Sequence, residues 1–264
     1  MHDLINVLVL GIIEGVTEFL PVSSTGHLLI AEHWLGSRSE LFNIGIQAGA
    51  ILAVTLIYRA RIRQLLAQWR DPPNRDYLSK LVVAFGITAG LGWIAVKLGF
   101  KLPVAVEPIA WALLLGGVWM LAAEQLAAKQ PDRSAVTWPV AIGVGIAQMI
   151  AGIFPGTSRS AATIFSAMLL GTSNRAAATE FAFLVGIPTM YAATGYELLK
   201  VVKAGGAAHE EWTALATGFA VSAIVAFAVV KWLLGYVRGH RFTPFAIYRI
   251  ALGIALLLWI PAGG

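Results

Sequence analysis

Residues 11–27, GIIEGVTEFLPVSSTGH, have a counterpart at residues 145–160, GIAQMIAGIFPGTSRS. Gly11, Glu14, Pro21, Ser23 and Ser24 of the first fall against Gly145, Gln148, Pro155, Thr157 and Ser158 of the second. Each stretch is an apolar helical run with a polar residue inside it, followed by a Pro, a hydroxyl-rich turn and more apolar sequence. Two such elements in one apolar chain predict a duplicated half whose polar turns meet at a single site near mid-membrane.

The rest of the chain supplies the membrane setting. Of its 264 residues, 58% are hydrophobic and 12% charged, against roughly 25% charged in a soluble domain. A bilayer span needs about 20 mostly apolar residues, and six stretches qualify, near 41–58, 78–96, 108–123, 180–199, 213–234 and 246–260. The amino end MHDLINVLVLGIIEG has no Lys or Arg and runs straight into the first motif, so it is expected to be retained rather than cleaved as a signal. The absence of Cys excludes disulfides, thiolate metal sites and a Cys nucleophile. A formal charge of +5 does not point to nucleic acid, because the basic residues cluster in short loops between spans.

Charge also orients the chain. The loop 59–76 holds Arg59, Arg61, Arg63, Arg70 and Arg75 and is assigned to the cytoplasm, which puts the amino end outside. Alternation then places 124–138 and 235–245 inside, and 97–107 and 200–212 outside. Each motif region has only about 12–17 apolar residues on either side of its turn, too few for two comfortable spans, and each must return to the side it came from. Re-entrant helix-turn-helix hairpins at about 3–35 and 138–171 meet both conditions. Entering from opposite sides, they define an inverted-topology repeat, where irregular backbone is tolerated because it lines a protein cavity. The expected fold is all-α: one polytopic membrane domain over 1–264, with six transmembrane helices, two re-entrant hairpins, and halves at 1–123 and 124–264.

Glu14 and Glu18 stand four residues apart, one turn apart on a helix face, among Ile, Val, Phe and Leu. An ionised carboxylate at membrane depth costs several kcal/mol without a partner, so the pair implies a cation, a proton relay or a basic partner. Carboxylate and hydroxyl oxygens suit Mg2+ or Ca2+ better than zinc. The turn 21–27 adds Ser23, Ser24 and Thr25, a Gly, and His27, whose pKa range suits proton transfer but which reads equally well as a hydrogen-bonded structural residue. N-capping accounts for one hydroxyl but not three. In the second turn Arg159 sits among apolar residues beside Gly156, Thr157, Ser158 and Ser160, a fork of donors and a turn suited to phosphate; pairing with Glu14 or Glu18 is its structural alternative. Thr163, one turn past Ser160, either faces the same cavity or bonds back to its own helix. Gln47 could line the cavity, though it suits interhelical hydrogen bonding better, and Gly86, Gly90 and Gly92 suit close helix packing.

The pair EGVTE and PVSSTGH in the first half, with PGTSRSAAT in the second, resembles the bacitracin-resistance-type undecaprenyl-diphosphate phosphatases of bacteria, across essentially the whole chain. The resemblance implies removal of the terminal phosphate of undecaprenyl diphosphate, which recycles the lipid carrier of peptidoglycan synthesis in the cytoplasmic membrane, with the site toward the periplasm. It maps the acidic motif to Glu14 and Glu18, the hydroxyl turn to Ser23, Ser24 and Thr25, the His to His27, and phosphate binding to Gly156, Ser158, Arg159, Ser160 and Thr163, with Thr157 at a variable place. The implied catalytic set is Glu18, Ser24, His27 and Arg159, with metal on Glu14 and Glu18. Two routes stay open: attack by Ser24 with His27 as base, or attack by a metal-activated water. Partners are the diphosphate and membrane lipid, with a homodimer left open. A polyprenyl-phosphate flippase is the rival reading, since inverted repeats with broken helices also build transporters.

Overall fold

Helix boundaries follow the polar punctuation of the sequence. The computed structural model describes residues 2–99, 106–205 and 210–259, and among them are eleven α-helices and no strand. The first half runs α1 (His2–Thr17), α2 (Ser24–Leu35), α3 (Glu40–Ile57), α4 (Arg59–Ala67), α5 (Pro72–Lys97) and α6 (Val106–Ala127). The second runs α7 (Trp138–Ile153), α8 (Arg159–Gly171), α9 (Arg175–Lys203), α10 (Trp212–Tyr236) and α11 (Thr243–Trp259). Ser39 and Asn174 cap α3 and α9 by accepting from the N–H groups of Phe42 and Ala177. Pro sits in the first turn of α5 and of α7, where no intrahelical donor is lost.

Five of these helices, α3, α5, α6, α9 and α10, are long and apolar enough to cross a membrane. The sixth expected span, 246–260, is the 17-residue α11, and residue 260 lies outside the described residues. The hairpin helices are shorter: α1 and α7 have 16 residues, α2 has 12 and α8 has 13. At about 1.5 Å per residue none reaches the roughly 30 Å of a hydrocarbon core. Such lengths suit a chain that turns back within the membrane.

The halves interlock. α10 packs against α1 and α3, while α5 packs against α7 and α9, so each half lends a long helix to the other half's hairpin. Glycine makes both contacts close. Gly11 lies against the Gly218 carbonyl and Val221 of α10, and Gly145 lies against the Ala84 carbonyl and Ile87 of α5. Gly86 and Gly90, by contrast, have open space where a side chain would stand, so the expectation of packing there is corrected: they face away from the other helices. The division placed at 123/124 falls inside the last turn of α6. There the buried Glu124 accepts from Arg175 Nε (2.9 Å), the Phe242 N–H (3.0 Å) and Thr243 Oγ1 (3.1 Å), tying α6 to the starts of α9 and α11.

Candidate active site

The two turns meet. A cavity of about 40 Å3 lies between them, lined by Glu18, Ser23, Ser24 and Thr25 from the first and Gly156, Ser158 and Arg159 from the second. Gln47 of α3 also lines it, the less favoured of the two roles open to that residue.

Each turn ends in a serine with a backbone that L-residues rarely adopt: Ser23 has φ 76° and Ser158 φ 68°. Conformations of this kind cost about 1–3 kcal/mol each. Both serines cap the helix that follows, Ser23 Oγ accepting from the Gly26 N–H and Ser158 Oγ from the Ala161 N–H. The structural register therefore pairs Ser23 with Ser158, one residue off the sequence register that paired it with Thr157. Gly156, at φ 91°, is the extra residue of the second turn, and a side chain there would press on the Ile109 carbonyl. In the corrected register Ser24 and Arg159 are equivalent. Each is the first residue of a helix, with free N–H groups suited to an anion.

Around this frame the polar groups are ordered. Glu18 stands just past the end of α1, but its N–H still bonds the Glu14 carbonyl (3.0 Å), which keeps the two carboxyls one turn apart. Ser24 Oγ donates to Glu18 Oε2 at 2.5 Å. Behind Glu18, Glu14 is fully buried and neither of its oxygens receives a hydrogen bond; its neighbours are the Glu18 carboxyl and, within electrostatic reach, Arg159. The Arg159 guanidinium forms no ion pair or hydrogen bond among the described residues, so the structural alternative of a salt bridge to either carboxylate is not realised. Ser160 crosses between turns, its Oγ donating to the Leu20 carbonyl at 2.9 Å. Thr163 bonds back to the Arg159 carbonyl at 2.8 Å, the second of the two placements open to it. The Thr157 side chain does not line the cavity.

His27 is placed apart from Ser24. Its Nδ1 meets the Ser23 carbonyl at 2.7 Å and its Nε2 meets the Tyr248 hydroxyl at 2.6 Å. A carbonyl only accepts, so Nδ1 carries the proton and, in a neutral ring, Nε2 accepts from Tyr248. The ring thus braces the strained Ser23, and Glu18 is the group on the Ser24 proton.

The sequence reading passed over Arg249. This α11 residue is fully buried; its Nη1 donates to the Thr157 carbonyl (2.9 Å) and more weakly to the Pro21 carbonyl (3.4 Å), and its Nη2 to the carbonyls of Gly156 (2.9 Å) and Ala112 (3.0 Å). One guanidinium therefore fastens both turns from behind. Gly116 leaves the room for it. An Arg inside the apolar run 246–260 was the available signal, since a charge at that depth is expensive without partners.

The sequence pattern described as "Bacitracin resistance protein BacA" matches residues 7–255. This chain belongs to the BacA family. Among BacA relatives, the undecaprenyl-diphosphatase of Rhizobium etli (strain CFN 42) is 68% identical over 255 residues, covering 97% of this chain and 96% of the relative. That of Stenotrophomonas maltophilia (strain K279a) is 62% identical over the whole of both chains. That of Xanthomonas euvesicatoria pv. vesicatoria (strain 85-10) is 61% identical over 99% of each.

Proposed function

We propose that this chain is an undecaprenyl-diphosphatase, hydrolysing undecaprenyl diphosphate to undecaprenyl phosphate and inorganic phosphate and so conferring bacitracin resistance. BacA membership and full-length relatives bearing that name support the activity. The observation that carries the chemistry is the Ser24 hydroxyl already donating to Glu18. Ser24 Oγ attacks the terminal phosphorus as its proton passes to Glu18, and the bond to the bridging oxygen breaks. Glu18 then gives that proton to the departing lipid monophosphate. In the second half-reaction Glu18 takes a proton from water, the hydroxide attacks the phosphoserine, and the proton returns to Ser24 Oγ as inorganic phosphate leaves. Arg159 and the N–H groups opening α2 and α8 hold the charge that develops on the phosphoryl oxygens. A hydroxyl held on a carboxylate beside an anion site is the arrangement that nucleophilic attack on phosphorus needs, which favours an enzyme over a transporter.

Glu14 and Glu18 suit a hard cation, because unpartnered buried carboxylate oxygens lie beside an all-oxygen set of hydroxyls. Mg2+ or Ca2+ held there would neutralise diphosphate charge. The interlocked packing of α5 and α10 supports an inverted repeat, the arginines of 59–76 support a cytoplasmic position for that loop, and BacA membership supports a site that opens away from the cytoplasm, in the bacterial inner membrane. Both turns come from one chain, so a homodimer is compatible with the site but not needed by it. The test is phosphate release from the diphosphate by purified protein in detergent. Wild type should release it and accumulate phosphoserine on rapid quenching, and Ser24→Ala should do neither. No release by wild type overturns the activity, and activity of Ser24→Ala within a few fold of wild type overturns the nucleophile.

A further inference from the structure

The basic helix α4 takes no part in the site, yet it borders an apolar groove of about 300 Å3 between α4, α5 and α9. That volume is at the small end of ligand sites. Ile62 and Leu66 form its rim on α4, Leu81 and Phe85 its wall on α5, and Leu184 and Pro188 its wall on α9. Pro188 stands inside α9, where it removes a helical hydrogen bond and leaves the Leu184 carbonyl without its usual donor. From Leu81 the groove runs inward by about a turn of α5 to Phe85, toward the membrane interior.

The charges beside the groove are unbalanced. Arg59 and Arg63 are exposed and form no ion pair among the described residues. Leu66 is 60% exposed and Trp69 51%. Arg59, Arg63 and Leu66 are spaced four and three apart, which puts them on one stripe of the helix next to Ile62. Arg61 points elsewhere and pairs with Glu180 at 3.2 Å. A charged stripe on the helix that borders an apolar slot matches a molecule with an anionic head and a hydrocarbon tail. Trp69 beside it suits the same interfacial level.

We infer that α4 and this groove form a binding site for an anionic phospholipid, with its phosphate on Arg59 and Arg63 and one acyl chain between α5 and α9. Positive charge on this loop assigns it to the cytoplasmic leaflet, the anionic one, where each Arg near the surface adds appreciably to attraction. The site is independent of the phosphatase reading, because none of its residues lines the cavity between the turns.

Native mass spectrometry of the full-length protein, released from detergent with equimolar phosphatidylglycerol and phosphatidylcholine, tests this. Wild type should retain phosphatidylglycerol in preference to phosphatidylcholine. Arg59→Gln with Arg63→Gln should cut that preference about tenfold, whereas removing two other loop charges, Lys129→Gln with Arg241→Gln, should leave it unchanged. Leu81→Trp, which fills the groove, should lower phospholipid retention with all charges intact. Equal retention of the two lipids by wild type, or equal losses in the two charge variants, would overturn the proposal. Unchanged retention in Leu81→Trp would overturn the acyl-chain placement.

Discussion

The Ser24 hydroxyl lies 2.5 Å from Glu18 Oε2, six residues earlier in the chain and on the other arm of the same hairpin. The contact exists because α1 ends one residue before Glu18 and Ser23 turns the chain back at positive φ, so that the first residue of α2 returns to the carboxylate. Glu18→Gln keeps the shape but cannot take a proton. General-base contributions are typically about 10²–10⁴-fold, so kcat should fall by at least that much, and KM should rise as the cation held by Glu14 and Glu18 is weakened. Steady-state kinetics on a prenyl diphosphate measures both; an unchanged kcat would remove Glu18 from the proton path.

Arg249 is the second relationship with a clear consequence. Its guanidinium serves four carbonyls, and the shorter thioether side chain of an Arg249→Met variant, with no N–H to donate, would serve none. Each buried carbonyl left unpaired costs about 1–3 kcal/mol, so Arg249→Met should lower the detergent Tm by many degrees and abolish activity. Arg249→Lys keeps the charge but not the fork, and should recover part of the Tm and little of the activity. Thermal unfolding followed by circular dichroism gives the first, and phosphate release the second. A methionine variant as stable as wild type would show that the turns are held by something else.

Much of the helical layout is legible in the sequence. The ranges 3–35 and 138–171 match the bounds of α1–α2 and α7–α8 closely, because a proline and a polar turn interrupt each apolar run. Glu14, Glu18 and Arg159 stood out because charge at membrane depth is costly. What stayed hidden depends on contacts distant in sequence. Arg249 meets carbonyls 92 to 228 residues away, and no local pattern reports a carbonyl. His27 is turned toward Tyr248, 221 residues later, so its spacing from Ser24 says nothing of where its nitrogens point. The one-residue shift between Ser23 and Ser158 is set by the backbone of Gly156, and aligned letters do not show φ.

Gly116 offers an independent route to the same clamp. A Cβ on Gly116 would overlap Nη2 of Arg249, the tip of a side chain that is flexible in isolation but pinned here by four acceptors. Gly116→Ala should therefore reproduce the phenotype of Arg249→Met without touching a polar group. Because the two changes act on one contact, their effects on Tm should not add in the double variant. A double-mutant cycle on Tm decides, and full additivity would mean that Gly116 acts through something other than Arg249.

The paired serines give a prediction of opposite signs at one position. Ser23→Ala loses a cap, which costs about 0.5–2 kcal/mol, whereas Ser→Gly at a cap costs only a few tenths. Alanine also keeps the strained φ of 76° that glycine relieves. Ser23→Gly should therefore match or exceed wild-type stability and Ser23→Ala should fall below it, and Ser158, at φ 68° with the same cap, should behave alike. Chemical denaturation in detergent micelles ranks the four variants. If Ala proves as stable as Gly at both positions, the positive φ carries no strain, and the turns are held open by their surroundings alone.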